Sequence, residues 1–135
     1  SSTPDDMTVL NNVLIGRNTY ISPFATPKQS DVNICIEKLR KVGMESYADR
    51  KLATLSGGEA QLIYIARALA SNPDMIILDE PESGLDFKNQ LKILNLIEEL
   101  SKSGIAIVFN THYPKHALQI REIFGVIFHL NEIKV

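Results

Sequence analysis

Four short segments of this chain hold residue types able to do chemistry. In Leu55-Ser56-Gly57-Gly58-Glu59, a serine and two glycines open a helix. The free N–H groups and the positive end of the dipole suit such a terminus to a phosphate. An ordinary capping box of Ser56 with Glu59 fits the same residues. In Met75-Ile76-Ile77-Leu78-Asp79-Glu80-Pro81, two adjacent carboxylates end a short apolar run, the place where α/β sheets hold their ligands. Successive strand side chains point in different directions, so the two acids can divide two jobs. One would organise Mg²⁺, usually through water, and the other would stand near an attacking water; two solvated acids at a strand end are the plainer alternative. Ser83-Gly84-Leu85-Asp86 is a turn with an acid before a helix, where Asp86 also fits as a simple cap. Thr111-His112 follows a second apolar run, and a histidine there can donate to a phosphate oxygen. A lone loop histidine is more commonly structural.

The elements that must position these residues can be read from periodicity. Val9, Leu10, Val13 and Leu14 have helical spacing over Thr8–Arg17, which Gly16 is expected to close. Residues 21–28 carry Pro23 and Pro27 and read as loop. Asp31 is a candidate N-cap for a helix to about Val42, with Val32, Cys35, Leu39 and Val42 on one stripe and Gly43 as the stop. Ser56 is the expected N-cap of a helix to about Ser71, broken by Asn72-Pro73. Met75–Leu78 and Ile105–Phe109 read as strands buried on both faces. Between them Phe87–Lys102 is helical, with Leu91, Leu94, Ile97 and Leu100 on one side. A short helix at His116–Ile120, a strand at Val126–Leu130 and a last segment at Ile133–Val135 complete the reading. After residue 74 the order is strand, helix, strand, helix, strand, which argues for a parallel sheet with right-handed crossovers.

Composition narrows the class further. The 135 residues allow one domain, and 44% hydrophobic with 22% charged residues is ordinary for a globular protein. A net charge of -2 gives no global electrostatic reason to expect nucleic acid as a partner; Lys38, Arg40 and Lys41 read as a solvated helix face. The one cysteine, Cys35, allows no internal disulfide and reads as a buried small side chain in a reducing compartment. The apolar runs are far too short for a membrane span, and residues 1–6 have no basic segment followed by an apolar run, so a secretory signal is not expected.

Together, and in this order, the four segments resemble the signature motif, Walker B motif, D-loop and switch histidine of the ABC ATPases. Ile65-Ala66-Arg67-Ala68-Leu69 in the helix after Ser56 is similar too, and the likeness covers nearly the whole chain. The fold it implies is α/β: a partial P-loop NTPase core, a parallel sheet with flanking helices, preceded by the helical subdomain of the family. Residues 1–135 would be a single partial domain, with the helical subdomain and signature helix over 7–73 and half of a RecA-like core over 74–135. Within the family, Val13-Leu14-Ile15-Gly16-Arg17, Gln61-Leu62, Leu85-Asp86-Phe87-Lys88-Asn89-Gln90 and Thr111-His112-Tyr113-Pro114-Lys115-His116-Ala117 resemble the importers of iron chelates, haem and cobalamin. Importers of molybdate and related oxyanions are an alternative.

The resemblance implies roles. In this family two ATPase domains face each other head to tail and sandwich two ATP molecules. Ser56 and Gly58, with Gly57 and Glu59 beside them, would meet the γ-phosphate of ATP held by the opposite subunit. Asp79 would help hold Mg²⁺ through water, and Glu80 would be the general base or water-orienting residue. Asp86 would cross the dimer interface, and His112 would contact the γ-phosphate in its own subunit. The implied cofactors are ATP and Mg²⁺ in the full-length protein, with neither expected to bind tightly to these residues alone. The implied partners are a second ATPase subunit and membrane permease subunits, with no nucleic acid and no direct membrane insertion. The implied location is cytoplasmic, peripheral to the cell membrane through the permease.

The chain departs from the family pattern at Glu82, where threonine is usual, and at Tyr113, where aspartate is common. No G-x-x-x-x-G-K followed by Ser or Thr occurs, so the backbone cradle and phosphate lysine are missing from these residues. Residue 1 is expected to fall shortly after the family's glutamine loop, and the chain by itself is expected not to hydrolyse ATP. Two other readings fit the motifs. A non-transport ABC ATPase of the DNA-repair type would interrupt the domain with long coiled coils, and no sustained heptads precede Ser56. A stand-alone, non-catalytic module that binds a partner would have to tolerate an open sheet edge; light scattering separates it from a piece of a larger domain.

Overall fold

The computed structural model describes residues 6–111, which fall into two units divided between Pro73 and Asp74. His112, the helix read at His116–Ile120 and the strands read at Val126–Leu130 and Ile133–Val135 lie outside the described residues.

The first unit is helical. Thr8, in extended backbone, accepts the Asn11 N–H on its hydroxyl at 3.1 Å and starts α1, Val9–Leu14. A 3₁₀ turn, Ile15–Arg17, continues it. Helix α2 covers Gln29–Lys41 and α3 covers Gly57–Ala70. All three pack against one another through Val9, Val13, Cys35, Leu39, Ile63, Ala66 and Leu69, each at most 3% exposed. Cys35 is the buried small side chain expected, and burial pushes its thiol up to about 11. The start of α1 is tied to the segment leading into α3: Val9 N–H donates to Arg50 O, Leu10 N–H to Ala48 O and Leu52 N–H to Met7 O, all at 2.8–2.9 Å.

Two local readings in this unit change. Asp31 is not the N-cap of α2. The N-cap is Lys28, three residues earlier, and Asp31 sits in the first turn, taking the Lys28 N–H on Oδ2 at 3.0 Å and the Arg17 guanidinium on Oδ1 at 3.0 Å. A carboxylate reaching back from the first turn caps as well as one at the N-cap itself, so spacing alone does not separate the two. Gly16 does not stop α1 by a left-handed turn either. It lies inside the 3₁₀ turn against α3, where a Cβ would come within 2.1 Å of Arg67 O. Close approach, not conformational freedom, requires a glycine there. Gly43 does end α2, at φ 76°, with Met44 N–H to Leu39 O at 2.8 Å and Gly43 N–H to Arg40 O at 3.0 Å closing a Schellman motif.

The second unit is a parallel pair of strands and a helix. Strand β1, Met75–Asp79, pairs with β2, Ala106–Asn110, in register from Met75 opposite Ala106 to Asp79 opposite Asn110. Helix α4, Phe87–Lys102, makes the crossover and buries Ile93, Leu94, Leu96, Ile97 and Leu100. The expectation that both strands are buried on both faces is corrected. Along β1, Ile76 and Leu78 are buried, while Ile77 is 72% exposed. In β2 only Phe109 is buried. An unbroken apolar run does not say which of its faces is covered; the pleat exposes alternate residues wherever one face lacks a neighbour.

Candidate functional site

The candidate residues in the first unit sit at the start of α3. Ser56 is extended, at φ −65° and ψ 163°, and caps the helix reciprocally with Glu59. Its Oγ accepts the Glu59 N–H at 3.2 Å, and its own N–H donates to Glu59 Oε1 at 3.0 Å. The expected capping box is therefore present, but it does not exhaust the helix end. The next helical N–H, at Ala60, donates to Ser56 O at 2.8 Å. Among the described residues no acceptor meets the N–H groups of Gly57 and Gly58, and a serine hydroxyl that accepts still has a proton to donate. Three donors at the positive end of a 14-residue helix fit the oxygens of a phosphate. The Ser56 N–H and then the Tyr47 hydroxyl hold the Glu59 carboxyl below the usual carboxylate range. Arg50 stacks on the Tyr47 ring at 4.2 Å, and its charge lowers Glu59 further.

In the second unit, Asp79 ends β1 with an exposed side chain and Glu80 follows, half-buried. Glu80 has φ 46°, a left-handed backbone in a residue with a full side chain. Such a conformation costs about 1–3 kcal/mol and persists only where the surroundings over-determine it. Here they do. The Glu80 N–H donates to Asn110 O at 3.1 Å and to Asn110 Oδ1 at 2.9 Å. The Glu80 carbonyl accepts the Ser83 N–H at 3.0 Å, closing a turn with Pro81 at its second position. Glu82, at the third, is fully buried and takes a hydrogen bond from the Thr111 hydroxyl on Oε1. Gly84 continues the loop at φ 72°. Asp86 is extended and accepts the Asn89 N–H on Oδ1 at 2.8 Å, so it does cap α4.

The structure thus brings Asp79, Glu80 and Asp86 onto one strand–turn–helix segment, and sets Ser56, Gly57, Gly58 and Glu59 on another unit. Two residues around Glu80 were not singled out for a site by sequence: Asn110, which ties its turn to the end of β2, and Glu82, noted only as a departure; Thr111 was read only as the residue before His112. The signal available was the polar pair Asn110-Thr111 ending an apolar strand, but their targets 30 and 29 residues away are not legible from spacing.

Among the described residues no group of three or more His, Cys, Asp or Glu forms a cluster able to hold a metal. That still fits Mg²⁺, which takes one or two carboxylates and fills its shell with water and substrate phosphates. Asp79, exposed at the carboxyl end of a parallel strand, is a hard-oxygen donor of this kind. No helix among the described residues is long and apolar enough to cross a membrane.

Comparison with known proteins gives the same picture. The ABC transporter family matches residues 1–83. The molybdate import ATP-binding protein MolC of Haemophilus influenzae is 42% identical over 120 residues, which are 88% of this chain and 47% of that protein. Among solved structures, an ABC transporter assigned to the metal-chelate type, in an inward-facing conformation, superposes with a TM-score of 0.82 at 42% identity, covering 87% of this chain and 48% of that one. The dimeric ATP-binding cassette MJ0796, in a post-hydrolysis state bound to ADP and Pi, superposes with a TM-score of 0.69 at 33% identity, covering 84% and 49%. The chain therefore spans about half the length of the proteins it matches. With a family match over more than half its residues and cassette structures superposing on both its units, this chain belongs to the ABC transporter family.

Proposed function

We propose that this chain is part of the ATP-binding subunit of an ABC importer, which couples ATP hydrolysis to uptake of a metal chelate or an oxyanion. The observation that carries the reading is Glu80: a carboxylate just past the end of a parallel strand, beside Asp79, on a backbone held left-handed by the neighbouring strand. Ligands of α/β sheets lie at that end, and strain of this kind gathers at functional sites. Glu80 orients and deprotonates the attacking water. Asp79 would be the residue that helps hold Mg²⁺, which would supply charge neutralisation at the phosphates. Ser56, Gly57 and Gly58 offer their donors to the γ-phosphate of ATP bound by the opposite subunit, with Glu59 fixing the helix start. Asp86, besides capping α4, would cross the dimer interface, and His112, outside the described residues, would be the group for the γ-phosphate of its own subunit.

The partners in this reading are a second ATPase subunit, as the dimeric relative supports, and a membrane permease. The subunit would lie on the cytoplasmic side of the membrane, held there by the permease. Residues 1–135 contain no phosphate-loop motif, so in this reading they hydrolyse no ATP by themselves. The relatives' names span molybdate, manganese, iron chelatin and metal chelate, and iron chelate, haem or cobalamin is the substrate class the sequence favours.

The test is Glu80→Gln in the full-length protein. General-base loss lowers rates by roughly 10²–10⁴, so ATP turnover should fall by that factor while ATP binding is kept. Turnover at the wild-type rate would remove Glu80 from the role.

A further inference from the structure

The turn that carries Glu80 is fastened at two points, to the last residue of β2 and to the residue after it. At its first residue, the Glu80 N–H meets both the main-chain and side-chain oxygens of Asn110. At its third, the Glu82 carboxylate, fully buried, takes the Thr111 hydroxyl, which is itself 1% exposed. Between them Pro81 is buried and fixes its own φ. Two consecutive residues of one strand end therefore hold alternate residues of the neighbouring turn. A turn held at one point can pivot about it; held at two, it presents Glu80 in one orientation.

We propose that Glu82, Thr111 and Asn110 are positioning residues, which clamp the Glu80-Pro81-Glu82-Ser83 turn to β2 and so set the direction of the Glu80 carboxylate toward the attacking water. The inference rests on the role given to Glu80 above. An aim shared with a reacting atom matters more than its contribution to folding, because small misplacements of a catalytic group cost rate steeply. Removing the clamp should lower turnover without weakening ATP binding, since none of the three side chains is among the groups assigned to the phosphates.

The experiment uses the full-length ATPase subunit, with kcat normalised to the number of ATP-binding sites found by titration. Thr111→Val keeps the shape and removes the hydroxyl; Thr111→Ser keeps the hydroxyl. The expected result is a kcat at least tenfold lower for Thr111→Val, with KM for ATP within twofold of wild type, and near-normal kcat for Thr111→Ser. Asn110→Ala, which removes only the side-chain acceptor, should lower kcat in the same way, and it decides the matter if Thr111→Val does not fold. The proposal is overturned if Thr111→Val or Asn110→Ala keeps kcat within twofold. It is equally overturned if Thr111→Ser is as slow as Thr111→Val, or if kcat per binding site is unchanged while the number of sites falls. Glu80→Gln run in parallel separates the two claims. If it turns over normally, the role of Glu80 fails; if it is inactive while the clamp variants are normal, only the clamp fails.

Discussion

The backbone N–H of Glu80 donates to the side-chain oxygen of Asn110 at 2.9 Å, across 30 residues of sequence. This bond, with the main-chain one beside it, holds a glutamate at φ 46°. Local preference opposes that conformation in any residue with a Cβ, and most of all in a β-branched one. Strand pairing overrides the preference just past the end of β1.

Substitutions at Glu80 should therefore rank by backbone as well as by charge. Glu80→Val should be less stable than Glu80→Gln by about 1–3 kcal/mol, the usual cost of a strained residue. Glu80→Gly should be at least as stable as Glu80→Gln. Urea denaturation of the three variants checks the order, and equal stability of Val and Gly would show that φ is not under strain.

Gly16→Ala should destabilise the first unit. Its Cβ would stand 2.1 Å from Arg67 O and 3.0 Å from the Ala70 Cβ, so the 3₁₀ turn and α3 would have to separate. Overpacking of this kind costs about 1–3 kcal/mol. Gly104→Ala meets no atom within 4 Å but requires φ 96°, so its cost is conformational, about 1–2 kcal/mol. Thermal melts should show the larger drop at Gly16.

Acid should weaken the fold through Asp31 and Glu59. The hydrogen bond from Arg17, then that from the Lys28 N–H, holds the Asp31 carboxyl below its ordinary 3.8. The Ser56 N–H and the Tyr47 hydroxyl hold Glu59 below its ordinary 4.5. Both groups have depressed folded-state pKa values, so their contribution is complete above those ordinary values and is lost as pH falls through the lower, folded ones. The urea midpoint should thus decline on acidification below about pH 4.5. A variant with Asp31→Asn and Glu59→Gln should show a shallower decline, and an unchanged slope would mean that neither group is linked to folding.

The two faces of β1 should respond differently. Ile76 is 4% exposed and Ile77 72%. Ile76→Ala should cost about 2–5 kcal/mol, as buried Ile-to-Ala changes do, and Ile77→Ala in these 135 residues less than about 0.5 kcal/mol. Chemical denaturation of the two variants measures the difference directly.

The helices were legible because what starts and stops them is local. Ser56 with Glu59, and Asp86 before Phe87, bound α3 and α4 at the residues the sequence predicts, since a cap and its target lie within one turn. Asp31 was misread within the same few residues because a carboxylate can cap from either of two nearby positions. The parallel pairing of β1 with β2 through α4 was legible from element order. Which face of each strand is covered was not, because coverage depends on what packs there.

By itself the sequence determined the family, the order of the chemical segments, and the carboxylates Asp79 and Glu80 at a strand end. Only the tertiary structure decided that Gly16 serves close packing against Arg67, that Glu80 is left-handed with its N–H on Asn110, and that the Thr111 hydroxyl meets the Glu82 carboxylate. The reason is distance along the chain. Caps and periodicity act within a few residues and leave a pattern in sequence, whereas these contacts join residues about thirty or more positions apart, whose meeting is set by the register of the strands and the packing of the helices.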